Sequence, residues 1–429
     1  MNANKSVLYV SYDGMTDSLG QSQVIPYLTV LSKNGYDIHI LSAEKPEAYA
    51  KRKEFIGKLL SDNNIQWHPI SYTKKPPIVS TVKDVFRMKK EARHLHKQYN
   101  FSIIHCRSYI SAFVGVYMKR KFGTKFIFDM RGFYADERVD GKLWNRSNPV
   151  YNAVYKYFKR KERLFFTQAD HTISLTYAGR DIIHTFAGLE NIPIEVIPCC
   201  ADTELFDYHK IDTAKVEQQR KELGITENEF VVTYLGSIGN WYMAEEMMHF
   251  FKLLKTSKPN AKFLFISRDN PQIIHSLCDK YDISHSDAIV HPADRENVPT
   301  MIAVGNVSLF FIKPVFSKKA SSPTKLAELL GMGMPVICNG DVGDLDKFMQ
   351  DTPFGLITTK FDDETLNELV SQVDNLQNLD HEYLRKISLD LFSLKIGVER
   401  YLKVYRGLEG EKAKRLTGEK SISNNFKQH

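Results

Sequence analysis

No apolar run in this chain approaches the roughly 20 residues that span a bilayer. The N-terminus, Met1–Lys5, passes straight into a strand-like segment without the apolar stretch and small-residue cleavage site of a secretion signal. A cytoplasmic location is expected, at most peripheral on the inner face of a membrane. Cysteine is scarce: Cys106, Cys199, Cys200, Cys278 and Cys338 are odd in number, scattered and without metal-ligand spacing, which argues for reduced thiols and against a disulfide scaffold. There is no Walker-type phosphate loop, no Gly-x-Gly-x-x-Gly fingerprint and no His-Glu-x-x-His, so kinase and oxidoreductase readings have no support. Neither sign of charge dominates. Lys and Arg number 58 against 51 Asp and Glu, a net +7, of which +3 sits in the polar end from Glu411 (five Lys/Arg, two Glu). No nucleic-acid partner is implied.

What is present is a long alternation of short β-branched and aromatic runs with helical patterns. Strands are expected at 7–11, 38–42, 103–106, 126–130, 172–175 and 195–198. A second set falls at 231–235, 262–267, 288–291, 308–312, 336–338 and 356–358. Most are nearly continuous apolar runs, the pattern of strands buried on both faces of a parallel sheet. At 429 residues the chain is too long for one ordinary core, so two doubly wound α/β domains facing across a cleft are expected. Residues 1–202 form the first and 203–229, polar and strandless, the linker. Residues 230–395 form the second, 396–409 a last helix, and 410–429 a basic tail expected to be disordered.

In such domains ligands bind beyond the carboxyl ends of the strands, and the run Ser321-Ser322-Pro323-Thr324-Lys325-Leu326-Ala327-Glu328 follows one of them. Ser322 suits an N-cap and Pro323 the first helical position, so the helix start aims free amides and its positive dipole end at the cleft, a ready site for a diphosphate. Lys325 adds a mobile cation. Glu328, one turn on and on the same face, could accept the hydroxyls of a ribose. A plain capped helix with a surface Lys–Glu pair is the competing reading.

The segment resembles the donor-binding helix of retaining glycosyltransferases of family 4, in which two Glu residues are separated by seven others ahead of a Gly-x-Pro-Val-Ile strand. Glu328 matches the second Glu; the first is replaced by Ala320. The resemblance extends to the glycine loop Gly236-Ser237-Ile238-Gly239-Asn240, to the interdomain run from Ile197 to Phe206, and to Gly343-Asp344. It implies a GT-B fold and a UDP- or GDP-linked sugar as donor substrate. It also implies transfer with retention, no metal and no cofactor. In the family's common form the first Glu contacts the donor sugar and the second the ribose. The usual Arg and Lys beyond the glycine loop are absent, with Arg268 the suggested replacement. Asp344-Leu345-Asp346 has a metal-binding outline but is read as a helix opening.

On the acceptor side, Asp13, Gly14, Gly20 and Gln21 belong to a flexible loop after the first strand, with an ordinary β-to-α connection as the alternative. Asp129 and Arg131 close a later strand, where many relatives carry a His; Arg131 is expected to contact an anion or sugar hydroxyls, and Asp129 to orient it or bind acceptor hydroxyls. His105 also follows a strand, where a structural hydrogen bond is the competing role. A glycan or lipid-linked acceptor in polysaccharide synthesis is the expectation, with a GT-B nucleotide-sugar epimerase and a non-catalytic ligand-binding relative as alternatives. Two helices carry apolar stripes, Val82, Val85, Phe86 and Ala92 on one and Tyr151, Val154, Tyr155 and Phe158 on the other. Beside them stand Arg87, Lys90, Arg93 and Lys97, and Lys156, Lys159, Arg160 and Arg163. Both helices packing on the core with solvated basic faces is one reading; at least one resting on an anionic membrane surface is the other.

Overall fold

The computed structural model describes residues 5–76 and 78–409; the expected basic tail lies outside them. Seven parallel strands form the first sheet: β1 (Ser6–Ser11), β2 (Asp37–Glu44), β3 (Ile65–Ser71), β4 (Ile103–Arg107), β5 (Lys125–Asp129), β6 (His171–Ser174) and β7 (Ile194–Val196), in the order β3-β2-β1-β4-β5-β6-β7. Six form the second: β8 (Val231–Leu235), β9 (Lys262–Ile266), β10 (Ala288–His291), β11 (Val307–Phe310), β12 (Val336–Asn339) and β13 (Gly355–Thr358), in the order β10-β9-β8-β11-β12-β13. Helices cover both faces of each sheet, which is why β1, β4, β8 and β11 are buried along their whole length. Strand order reverses at β1/β4 and at β8/β11, so the loops after these four strands border the two switch-point crevices.

The edge strand β3 escaped the sequence reading. It carries Gln66, His68 and Pro69 and is only half-buried, so it lacks the apolar run that marks its neighbours; Pro at an edge costs little. The expected linker is also less featureless than its composition. It holds the helix Thr213–Glu222, tied to the second domain by Arg220 donating to the Val304 carbonyl at 2.7 Å.

The chain crosses between domains a second time. The helix His381–Phe392 lies on the second domain, where Ser388 Oγ donates to the Ala327 carbonyl at 2.8 Å. The helix Leu394–Leu408, capped by Ser393, then returns to the first. There Arg400 donates to the Val196 carbonyl at 2.6 Å, and Gly397 lies so close to Cys200 that an added Cβ would stand 2.7 Å from its Sγ. The last helix therefore completes the N-terminal core, with Tyr401 and Tyr405 buried beside Tyr9 and Tyr27. No helix among the described residues is long and apolar enough to cross a membrane.

At the crossover, buried Arg385 donates to the carbonyls of Phe206 and Gly331, each at 3.0 Å, and pairs with Asp207 at 2.8 Å. Replacing Arg385 by Met takes this donor from the two carbonyls and leaves Asp207 with only the partly exposed His209 and Lys210. We expect a loss on the order of 2–4 kcal/mol, read as a lower urea midpoint with an unchanged m-value.

Candidate active site

The site begins where the chain leaves β11. After a 3-10 turn, Phe316–Ala320, the backbone stays extended through Ser321 and Pro323, and the helix starts at Thr324 and ends at Gly331. Capping differs from the sequence expectation by one residue: Pro323, not Ser322, is the N-cap, and no side chain caps the helix. Proline disfavours helical backbone in the residue before it. Ser322 instead turns outward, and its Oγ accepts the backbone N–H of Cys199 at 3.2 Å. Free amides therefore remain at the helix start, and the dipole favours an anion there.

Lys325 is not the mobile surface cation of the sequence reading. It is 7% exposed, and its Nζ stands 4.1 and 3.7 Å from the ring centres of Tyr234 and Tyr242, with no hydrogen-bond acceptor. Burial lowers its pKa well below the ordinary lysine value, against a weaker opposing effect of Glu328. Gly236 makes room for it. The backbone there has φ +111°, and an added Cβ would lie 3.4 Å from the ammonium, so glycine serves both conformation and close approach. Beyond it, Ser237 Oγ donates to Asp269 at 2.8 Å, Gly239 N–H donates to Ser237 Oγ at 3.2 Å, and Asn240 is exposed.

Glu328 is 9% exposed. Burial raises its pKa to about 7, with Arg295 pulling the other way; the Arg295 Nη1 lies 3.5 Å from its carboxylate. Arg295 was invisible in the sequence: it follows the edge strand β10 with no motif around it, and only its place after a strand end could have flagged it. Arg268 lies on the same rim but is exposed and paired with Asp294 at 2.6 Å. The cation beside Glu328 is Arg295.

Ala320 is fully buried in the core of the first domain, and a Cβ on Gly179 would come within 3.0 Å of its methyl. A carboxylate at this position would be forced into apolar packing without a partner. Around it the domains meet directly. Thr176 Oγ1 donates to the Lys319 carbonyl at 2.7 Å, and Lys318 pairs with Glu137 at 2.8 Å over the Trp241 ring. Asp344 does occupy the N-cap position of the helix Leu345–Asp351, yet its carboxylate accepts the amides of Tyr177 and Ala178 at 2.8 and 2.9 Å, capping a helix of the other domain. Asp346 accepts the Asp341 amide at 2.7 Å.

On the first domain, Arg131 has φ +58°, a left-handed conformation that costs a non-glycine residue free energy. Its Nη2 reaches Cys199 Sγ at 3.3 Å, and its Nε has no partner. Cys199 thus touches both Arg131 and Ser322 and joins the two sides of the site, a role its sequence context did not signal. Asp129 is fully buried. Burial raises its pKa, but Arg131, His105 and Arg107 outweigh that and hold it below the usual value; Tyr401 donates to it at 3.2 Å. His105 is 1% exposed and shares a 2.7 Å hydrogen bond with Tyr405. Burial lowers its pKa, and the ring is a strut for the last helix, enclosed in the core.

The loop after β1 is pinned, not flexible. The buried Glu44 carboxylate accepts the amides of Met15 and Thr16 at 2.7 and 3.1 Å and the Thr16 hydroxyl at 2.5 Å. A Cβ at Gly14 would fall 2.6 Å from Glu44, and one at Gly20 2.4 Å from the Gly14 carbonyl. Gln21 donates back to the Thr16 carbonyl at 3.1 Å. Asp13 is half-exposed, its carboxylate 3.4 Å from the buried Arg107.

Residues 25–205 match the family description Glycosyltransferase Family 4, and residues 215–387 match Glycosyl transferases group 1. No curated protein matches the chain. Among solved structures, sucrose-phosphate synthase from Thermosynechococcus elongatus is similar at 15% identity and a TM-score of 0.73, over 95% of this chain and 100% of that one. The Anabaena protein HepE, solved with UDP-glucose, gives 11%, 0.69, 94% and 99%. WaaG, a glycosyltransferase involved in lipopolysaccharide biosynthesis, gives 15%, 0.65, 94% and 100%.

Two outcomes test the electrostatics. A carboxyl whose folded pKa is raised contributes stability that is present below its unfolded pKa of 4.5 and lost as pH rises toward about 7. Glu328→Gln removes that loss, so its melting temperature should exceed that of the parent by more at pH 8 than at pH 5, by on the order of 2–3 kcal/mol in stability. Lys325→Met should likewise raise the melting temperature without ligand, because a buried ammonium with no acceptor opposes folding.

Proposed function

The chain belongs to the group 1 glycosyltransferases of GT-B fold, and from that premise we propose that it transfers a sugar from a UDP- or GDP-linked donor to a glycan or lipid-linked acceptor, with retention and without a metal ion, in polysaccharide synthesis. One observation carries the donor half: a buried lysine ammonium without an acceptor, set between two tyrosine rings at the start of a helix that faces the other domain. An anion is what this arrangement lacks. A pyrophosphate at the amides of residues 324 and 325 would give Lys325 its counter-charge and neutralise the helix end. Glu328, steadied by Arg295, would then accept the ribose hydroxyls one turn along the helix.

Transfer in such a site depends on holding the leaving diphosphate and stabilising its growing charge. Lys325 and the helix dipole serve that end from the second domain, and Arg131 from the first. The leaving diphosphate itself is a base for the acceptor hydroxyl, so no carboxylate pair is required. Asp129 keeps Arg131 in place. With Ala320 enclosed, the donor sugar has to be held by groups other than the family's first Glu; Arg131, whose Nε has no partner, is a candidate. Peripheral membrane location and a cytoplasmic active site fit a lipid-linked acceptor.

A thermal-shift series with UDP- and GDP-sugars should give one donor that raises the melting temperature. Lys325→Met and Glu328→Ala should each weaken its binding at least about tenfold (1.4 kcal/mol) and abolish turnover with labelled donor. Epimer production from donor alone, or unchanged binding by both variants, would overturn the proposal.

A further inference from the structure

Far from the donor site in sequence, the first domain carries a second cluster of cations, without acidic partners among the described residues. A crevice of about 340 Å³ opens among the helices Val79–Tyr99, Ser108–Phe122 and Pro149–Gln168. Phe113 and Tyr117 line it, and Lys89, Arg120, Lys121 and Lys161 surround them. Lys89 lies over both rings at 5.8 and 5.9 Å, and Lys121 over Tyr117 at 5.6 Å. Among the described residues none of the four cations has a carboxylate within 4.0 Å; Arg120 has only the Gln168 side-chain oxygen, at 3.2 Å. Lys89 and Lys161 are close enough that burial first, and then the charge of Lys161, lowers the pKa of Lys89.

The surface beside the crevice is apolar where solvent would favour polar groups. Val79, Val82 and Phe86 are 61%, 52% and 68% exposed, and Val150 and Tyr157 are 59% and 47% exposed. Positions 79, 82, 86 and 89 fall on one stripe of their helix, and 150, 154, 157 and 161 on one stripe of theirs. Each stripe thus runs from exposed apolar residues to a crevice lysine. The buried side of the first helix is instead Asp84, Met88, Ala92 and Leu95, so Val82 and Phe86 do not pack on the core as the sequence periodicity suggested. Lys159, expected on a solvated basic face, turns inward to Asp136 and Glu162, and Arg163 donates to the Ala187 carbonyl.

The geometry points to this face as the docking surface for an anionic phospholipid leaflet, with a headgroup phosphate seated among Lys89, Lys121 and Lys161, and Phe86, Val82 and Tyr157 entering the interface. Charge complementarity selects the occupant: four uncompensated cations exclude a basic partner, and large exposed apolar side chains beside them match the layered polarity of a membrane surface rather than that of a soluble anion. The inference deepens the membrane side of the proposed function and stands independently of the donor chemistry.

Flotation of the full chain with phosphatidylglycerol–phosphatidylcholine vesicles tests it. The parent should float with anionic vesicles and stay below with phosphatidylcholine alone, and its partition should fall as salt rises. The double variant Lys89→Glu/Lys161→Glu should lose at least tenfold in partition, whereas Lys215→Glu/Lys221→Glu, an equal charge change on an exposed helix of the other domain, should lose less than threefold. Phe86→Asp, at a site too exposed to disturb folding, should reduce binding as well. Retained melting temperature and donor-induced shift in these variants would show that the donor site is intact. Undiminished flotation of both Lys89→Glu/Lys161→Glu and Phe86→Asp, or equal flotation with neutral vesicles, would overturn the inference, and so would competition by free inorganic phosphate at millimolar concentration.

Discussion

The position of one turn of helix depends on how the preceding loop is clamped between domains. Residues 316–322 are anchored on the first domain by the Thr176–Lys319, Lys318–Glu137 and Ser322–Cys199 contacts, and Ala320 is embedded in that domain's core. The helix that follows is anchored on the second, where Leu326, Leu329 and Leu330 are buried with the residues of β12. Its start is therefore placed by both domains at once. A cation that sits there without an acceptor is tolerated only because the surrounding packing exceeds its cost.

The same clamp accounts for the departure at position 320. Where the family's common form has a carboxylate, the chain has a methyl group that seals the seam between domains. Gly179 opposite it, and Gly132 with its own positive φ, let the two backbones approach. Polar groups flank the seam instead: Arg131 reaches Cys199 on one side, Cys199 in turn donates its amide to Ser322, and Lys325 stands without an acceptor on the other side. Asp344 ties the domains together a little farther along by capping a helix that is not its own.

The second crossover stabilises the arrangement from the far side. Because the last helix packs on the first sheet, with Tyr405 on His105 and Tyr401 on Asp129, the first domain is complete only when the chain has passed through the second. Asp129, which steadies Arg131, is thereby held by a residue about 270 positions away. Relative motion of the domains has to strain these connections as well as the seam.

Two α/β domains were legible in the sequence because strands buried on both faces must be apolar throughout, and such runs stand out; β3, half-exposed and carrying Pro69, did not. Lys325 and Glu328 were legible because their spacing along a helix is a local property. The sequence could not tell that Lys325 is enclosed by Tyr234 and Tyr242, that Arg295 attends Glu328, or that His105 is a strut. Each of these depends on which distant side chains share a space, and that is decided by packing between elements rather than by periodicity within one. The outward face of Val82 and Phe86 is the clearest case: helical period sorts residues into stripes, but only the tertiary structure determines which stripe meets the core.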